Sequence, residues 1–218
     1  MILTIDTTSE KVQVAILQGA DILEVELWSG KNNHSETLLP EIDNVLHRLN
    51  LKTSDLKGIA VVNGPGNYTG LRVGVATANA LSFALQIPLY AVNRFQLLFE
   101  HVDDVVDTLF VITAVAETLY IARSISKNDF AAMDFKEIKN INPKKIVGDL
   151  ILEQENLLAE NLEDIEIKNV KTYNLLPELA SLIQNEEEIT VASPLYIKKP
   201  AITKGKEKVF LDGKIIRQ

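Results

Sequence analysis

Cysteine is absent from this chain of 218 residues, which excludes disulfide staples and thiolate metal sites. Histidine is nearly as scarce. His34, His47 and His101 are scattered, with no two of them four residues apart, so an imidazole metal site is not expected. No serine sits in a glycine-flanked elbow, so neither Ser nor Cys offers a hydrolase nucleophile. Glycine thins out as well: after Gly74 come only Gly148, Gly205 and Gly213, and no Gly-Gly pair allows a ligand to approach the backbone closely in the second half. Long apolar runs and a signal-peptide pattern are both missing, so a cytoplasmic protein with no membrane partner is expected. Positive charge is in deficit, at −8 overall, which argues against the body of the protein gripping a phosphate backbone by itself. The exception is the tail, where seven Lys or Arg between 196 and 218 face only Glu207 and Asp212, leaving about −13 for the rest. A solvated tail and a basic contact to RNA or an acidic partner are both open.

Hydrophobic residues make up 46% of the chain, enough to bury a core in one large domain or two small lobes. The organising stretch is Val61 to Leu85. A short β-branched run from Ile59 to Val62 leads into Gly64-Pro65-Gly66, which predicts a strand and a tight turn. A helix capped by Asn67 or Thr69 follows, free of proline to Leu85. A glycine-rich loop before a helix is either an anion site or a plain turn. Within the helix, Leu71, Val75, Ala78, Leu81 and Leu85 form an apolar stripe, and Gly70, Gly74 and Ala78 a row of small residues. That row either offers a flat groove to a partner helix or lets the helix sit close to its own sheet.

Taken in order, residues 2 to 28 read as a three-strand meander, with Leu23, Val25 and Leu27 alternating with Glu24 and Glu26 in the third strand. An amphipathic helix over about 37 to 49 follows, with caps available between Asn32 and Ser35 and Pro40 expected near the first turn. Strands at Gly58–Val62 and Pro88–Val92 flank the central helix. Helical spacing continues from Phe95 to Val106. A hairpin over Leu109–Val115 and Leu119–Ser124, a strand at Pro143–Val147, and helices at Asp149–Asn161 and Leu175–Gln184 complete a second lobe. These divisions give an N-terminal lobe over 1–100, a C-terminal lobe over 101–200 and a basic tail over 201–218. In the tail, Asp212-Gly213 between Val209–Leu211 and Lys214–Ile216 is a hairpin signal, and such a hairpin could add to a sheet edge.

The motif from Gly64 to Gly74, Gly-Pro-Gly-x-x-Thr-Gly-Leu-Arg-x-Gly, resembles the signature of the TsaB (YeaZ) family of tRNA threonylcarbamoyladenosine biosynthesis proteins. Ile5 to Glu10, His34 to Pro40, Ile87-Pro88-Leu89 and Ser193 to Lys198 are similar to family segments in the same order. The chain departs from the family at Thr113 to Ala116, where an Asp-Ala-Arg turn is usual. The resemblance implies an α/β, actin-like or ribonuclease-H-like ATPase fold with two lobes, the second reduced and divergent. In that fold Asp6, Thr8, Gly64 and Gly66 are candidates for a vestigial phosphate site. The two metal histidines of the catalytic TsaD relatives correspond to Arg94 and Leu98, so neither metal nor cofactor is expected on this chain alone. ATP at a partner or shared site remains open.

The resemblance further implies a non-catalytic scaffold that binds and activates a TsaD-type transferase, which modifies the adenosine beside the tRNA anticodon. A TsaE-type ATPase is expected in the same complex, a homodimer when the protein is alone, and tRNA contact only indirectly. The interface is expected on the two amphipathic helices, at Leu38, Ile42, Val45 and Leu46 on the first. On the second it takes in Gly70, Val73, Gly74, Thr77, Ala78 and Leu81. The alternative is an autonomous ATP-dependent enzyme of the same fold.

Overall fold

The computed structural model describes residues 1–30, 33–114, 118–126, 129–162 and 164–198, together with the backbone of two strands at 208–211 and 214–217. Strands β1 (Ile2–Asp6), β2 (Lys11–Gln18) and β3 (Asp21–Ser29) form the predicted meander. Helix α1 (His34–Arg48) then crosses to β4 (Gly58–Val62), and α2 (Tyr68–Leu85) crosses to β5 (Leu89–Val92). The sheet runs β3-β2-β1-β4-β5, with β1 antiparallel to β2 and parallel to β4. Every residue of β4 is buried, as a central parallel strand covered on both faces requires.

The second half repeats this plan. Strands β6 (Thr108–Thr113), β7 (Thr118–Ala122) and β8 (Ala131–Asp134) form a second meander, and β9 (Lys145–Asp149) and β10 (Glu166–Asn169) run parallel to β6. Its order, β10-β9-β6-β7-β8, is the first sheet's read from the other edge. Two such sheets make the actin-like, ribonuclease-H-like fold. The reduction lies in the helices. A six-residue 3-10 turn, Phe135–Asn140, stands where the first lobe has the fifteen-residue α1, and the ten-residue α4 (Leu152–Asn161) where it has the eighteen-residue α2.

Two further helices, α3 (Arg94–Glu100) and α5 (Leu176–Asn185), lie between the sheets. Phe95 and Leu98 of α3 and Leu179 and Ile183 of α5 share one buried cluster with Leu17, Ala60 and Val62 of the first sheet. Phe110, Ile112 and Val147 of the second sheet belong to the same cluster. The Phe99 ring stacks on Phe110 at 3.8 Å between centroids. After α5 the chain returns to the first lobe, where Ile189 bridges Leu89 and the Asn79 side chain bonds the backbone of Ala192 in both directions at 2.8 and 2.9 Å.

Several boundaries differ from the sequence reading. Helix α1 begins at His34, so Pro40 lies inside it rather than in its first turn. Its ring faces solvent, where the lost donor is tolerated at a cost. Asn32 lies outside the described residues, and Asn33 precedes the helix without a side-chain cap. Helix α3 stops at Glu100, well short of Val106, and its start is fixed by reciprocal bonds between Asn93 and Gln96. The tail strands β11 (Lys208–Leu211) and β12 (Lys214–Arg217) pair antiparallel with each other, while Asp212 and Gly213 between them lie outside the described residues.

Candidate functional site

The cleft between the lobes collects the C-terminal ends of β1, β4, β6 and β9, the place where open α/β sheets take ligands. From the first lobe comes the β1–β2 turn. Asp6 is buried, and its Oδ1 accepts from the Thr8 amide at 2.8 Å and the Thr8 hydroxyl at 2.6 Å. Burial pushes the Asp6 carboxyl above the usual range, against the opposing pull of Thr8 and Arg94. Beside this turn lies the Gly64-Pro65-Gly66 loop. A Cβ on Gly66 would stand 2.1 Å from the Thr8 carbonyl oxygen, which also accepts the Asn67 amide at 2.7 Å. Asn67 caps α2 by accepting from Thr69 and Gly70, so the loop is welded to the turn.

Arg94, at the first turn of α3, occupies the centre and is only 3% exposed. Its guanidinium donates to the Pro65 carbonyl at 3.0 Å and the Thr172 hydroxyl at 2.9 Å. A third bond, at 2.5 Å, reaches Asp149 at the end of β9. Asp149 Oδ2 also accepts the Thr172 amide and hydroxyl at 2.9 and 2.8 Å, and its Oδ1 lies 3.3 Å from Lys171. Burial, the largest single influence on Asp149, pushes its carboxyl up. Arg94, Thr172 and Lys171 together outweigh that and hold it below the usual carboxylate range. The outcome is a buried ion pair that bolts one lobe to the other.

Thr8 and Gly66 border a cavity of about 400 Å³ in this cleft, with Tyr68, Tyr120, Tyr173 and Lys171 on its other walls. Asp6 and Gly64 are buried and do not line it. The fold implies a metal–nucleotide here, and the donor set does not fit one. Asp149 is neutralised by an arginine and a lysine, and Asp6 is bonded within its own turn. The one described glycine of the second lobe, Gly148, is spent on strand packing, since a Cβ there would meet the Val111 carbonyl oxygen at 2.4 Å. Leu98, the other position matched to a metal histidine, is buried in the core between the lobes.

The expected interface residues divide in two. Leu38, Ile42, Val45, Leu46, Gly70, Gly74 and Ala78 are buried within the protomer and face its own first sheet, so they form no partner groove. The small row exists because α2 packs against the β1–β2 turn: a Cβ on Gly74 would lie 2.1 Å from Thr7 Oγ1, and one on Gly70 2.2 Å from Thr7 O. Only Val73, Thr77 and Leu81 are part-exposed. They adjoin a solvent face of α2 made of Arg72, Ala76, Ala80 and Phe83, the last 80% exposed.

The three histidines lie apart from one another and from the cleft cavity. His101 bonds Glu178 at 2.7 Å between α3 and α5, and His47 lies exposed near Asp43. His34 is buried beside Gly30 and Gly70, and burial pushes its imidazole below the usual histidine value. Ser193 to Ile197 forms a strap over the first lobe, which explains why this stretch stands out in the sequence. Asn63 bonds Ser193 and Leu195, and Tyr196 bonds Arg72 at 2.9 Å. Arg72 also stacks over Tyr68 at 3.9 Å from the ring centroid.

A family model described as TsaD, tRNA N6-adenosine threonylcarbamoyltransferase, matches residues 29–137, half of the chain. A Bacillus subtilis protein named tRNA threonylcarbamoyladenosine biosynthesis protein TsaB is 33% identical over 112 residues, 50% of this chain and 49% of that relative. The chain therefore spans about half the length of that curated relative. A TsaB from Buchnera aphidicola subsp. Acyrthosiphon pisum is 26% identical over 194 residues, 84% of this chain and 86% of its own. Among solved structures, a Pseudomonas aeruginosa protein described as similar to peptidase YEAZ superposes with a TM-score of 0.68. It is 19% identical and covers 90% of this chain and 99% of its own, a likeness of fold.

Proposed function

The chain belongs to the TsaB (YeaZ) family, and we propose from this that it acts in tRNA threonylcarbamoyladenosine synthesis as a non-catalytic scaffold that binds and activates a TsaD-type transferase. The observation that supports this most is Arg94. At a position matched to a metal histidine of the catalytic relatives stands a guanidinium bonded at once to Pro65, Thr172 and Asp149, which repels a cation and occupies the carboxylate that would hold one. The protein offers surface in place of chemistry. The exposed face of α2, from Arg72 through Ala76 to Phe83, takes either a second copy or the transferase, and a TsaE-type ATPase joins the same assembly. ATP belongs to a partner or a shared boundary, and tRNA is reached through the transferase.

The lone protein is expected to bind ATP no tighter than about millimolar, a binding energy of about 4 kcal/mol, and not to hydrolyse it. Titration calorimetry checks this. A micromolar dissociation constant would replace the scaffold by the autonomous ATP-dependent enzyme. For the surface, Phe83→Asp is expected to weaken association with the TsaD-type subunit by at least about tenfold in sedimentation. Because Phe83 is 80% exposed, the melting temperature should stay within a few degrees of the parent. An unchanged complex moves the partner off this face.

A further inference from the structure

Strand β3 is the first sheet's outer edge, nine residues long, and among the described residues nothing pairs with its free side. The opposite edge is capped at Leu89 by Ile189, and the second sheet's edge strands, β8 and β10, have four residues each. Edges of this length are usually blunted by lysine, proline or a distortion. β3 contains neither lysine nor proline, and its register shift is confined to the Ile16/Leu17 end of β2. Glu24 to Ser29 pair regularly with Lys11 to Ile16, and Ile22, Val25 and Leu27 are all more than a third exposed. The strand is acidic: Asp21, Glu24 and Glu26 meet no basic residue within it, and among the described residues Arg48 alone answers the two glutamates.

The tail supplies the complementary shortage. β11 and β12 form a sheet of two strands, which is marginal by itself in water. Their sequences, Lys-Val-Phe-Leu and Lys-Ile-Ile-Arg, are apolar and basic, with no acid among them. A four-residue strand fits within the regular six-residue stretch of β3. The distance is also within reach, because Tyr196 lies 5.1 Å from Tyr68 at the start of α2, and Asn67 and Gly30 border one cavity next to the end of β3. Residues 199 to 207 can span about 30 Å when extended.

We propose that the hairpin over 208–217 adds to the free edge of β3 in the same molecule, extending the first sheet by strand addition, with the basic strand ends set against the acidic edge. Amide hydrogen exchange on the full chain tests it. Those amides of Glu24 to Ser29 that point away from β2 are expected to exchange at least about tenfold slower than in a chain truncated after Lys198, with β6 unaffected. The double variant Phe210→Pro, Ile215→Pro keeps length and charge but removes an amide donor from each strand, and it should lose the same protection. Equal protection of β3 with and without the tail overturns the proposal. So does loss on truncation but not in the proline variant, which would make the contact one of charge alone. Protection that disappears on dilution assigns the hairpin to a second copy and equally overturns it.

Discussion

Replacing Arg94 with alanine is expected to destabilise the protein by about 3–5 kcal/mol, because it leaves Asp149 buried without its principal counter-charge. Chemical denaturation reads this directly. The double variant Arg94→Leu, Asp149→Leu should recover part of the loss, since no buried carboxylate is left unpaired, while the Thr172 amide and the Pro65 carbonyl still lose their partners. If the single variant is as stable as the parent, the ion pair does not hold the lobes together. The pair also sets a pH dependence. Asp149 has a folded-state value below its unfolded one, so its contribution is complete above about pH 4 and fades as pH falls through the lower folded value. Asp6, raised by burial, works in the opposite sense: its penalty is absent below about pH 4 and grows as pH rises through its folded value. In Asp149→Asn the acid limb of the stability curve should flatten.

Ala78→Glu is expected to be the most damaging change on α2. Ala78 is 0% exposed and faces the core with Leu71 and Val75, so a carboxylate there loses its water and gains no partner. The cost should be several kcal/mol, seen as a large fall in melting temperature or as insoluble protein. Ala76→Glu, two residues earlier on the exposed side, is the control and should lie within about 0.5 kcal/mol of the parent. Comparable stability for the two variants would mean that α2 does not turn Ala78 toward the core.

That helix shows where sequence reasoning reached its limit. Periodicity places Gly70, Gly74 and Ala78 in one row, yet either face of a helix can carry small residues, and only the Thr7 contacts decide that this row points inward. The first meander, the central strand and the glycine loop were legible because alternation, β-branching and turn chemistry agree at each of them. β8 and β10 were not: Ala-Ala-Met-Asp and Glu-Ile-Lys-Asn are four residues each, too short to show a period. The bolt at Arg94 was also beyond reach, since its partners Asp149 and Thr172 lie 55 and 78 residues away. Asp6, Thr8, Gly64 and Gly66 do lie together at the cleft, but no spacing in the sequence shows that an arginine lines the same cavity and bonds the glycine loop at Pro65.

The strap across the first lobe also sets an order of events during synthesis. Asn63 closes on Ser193 and Asn79 on Ala192, more than a hundred residues later, and α5 fills the seam beside β5 only once it has been translated. While the chain is still emerging, the first sheet has its α1 and α2 side covered but its other side covered by α3 alone, so nascent chains cut between the lobes should be captured by chaperones and trimmed by proteases. Contacts this distant also slow folding, because a long loop must close before they form. The first hundred residues therefore make half of a sandwich, and their last layer arrives with the end of the chain.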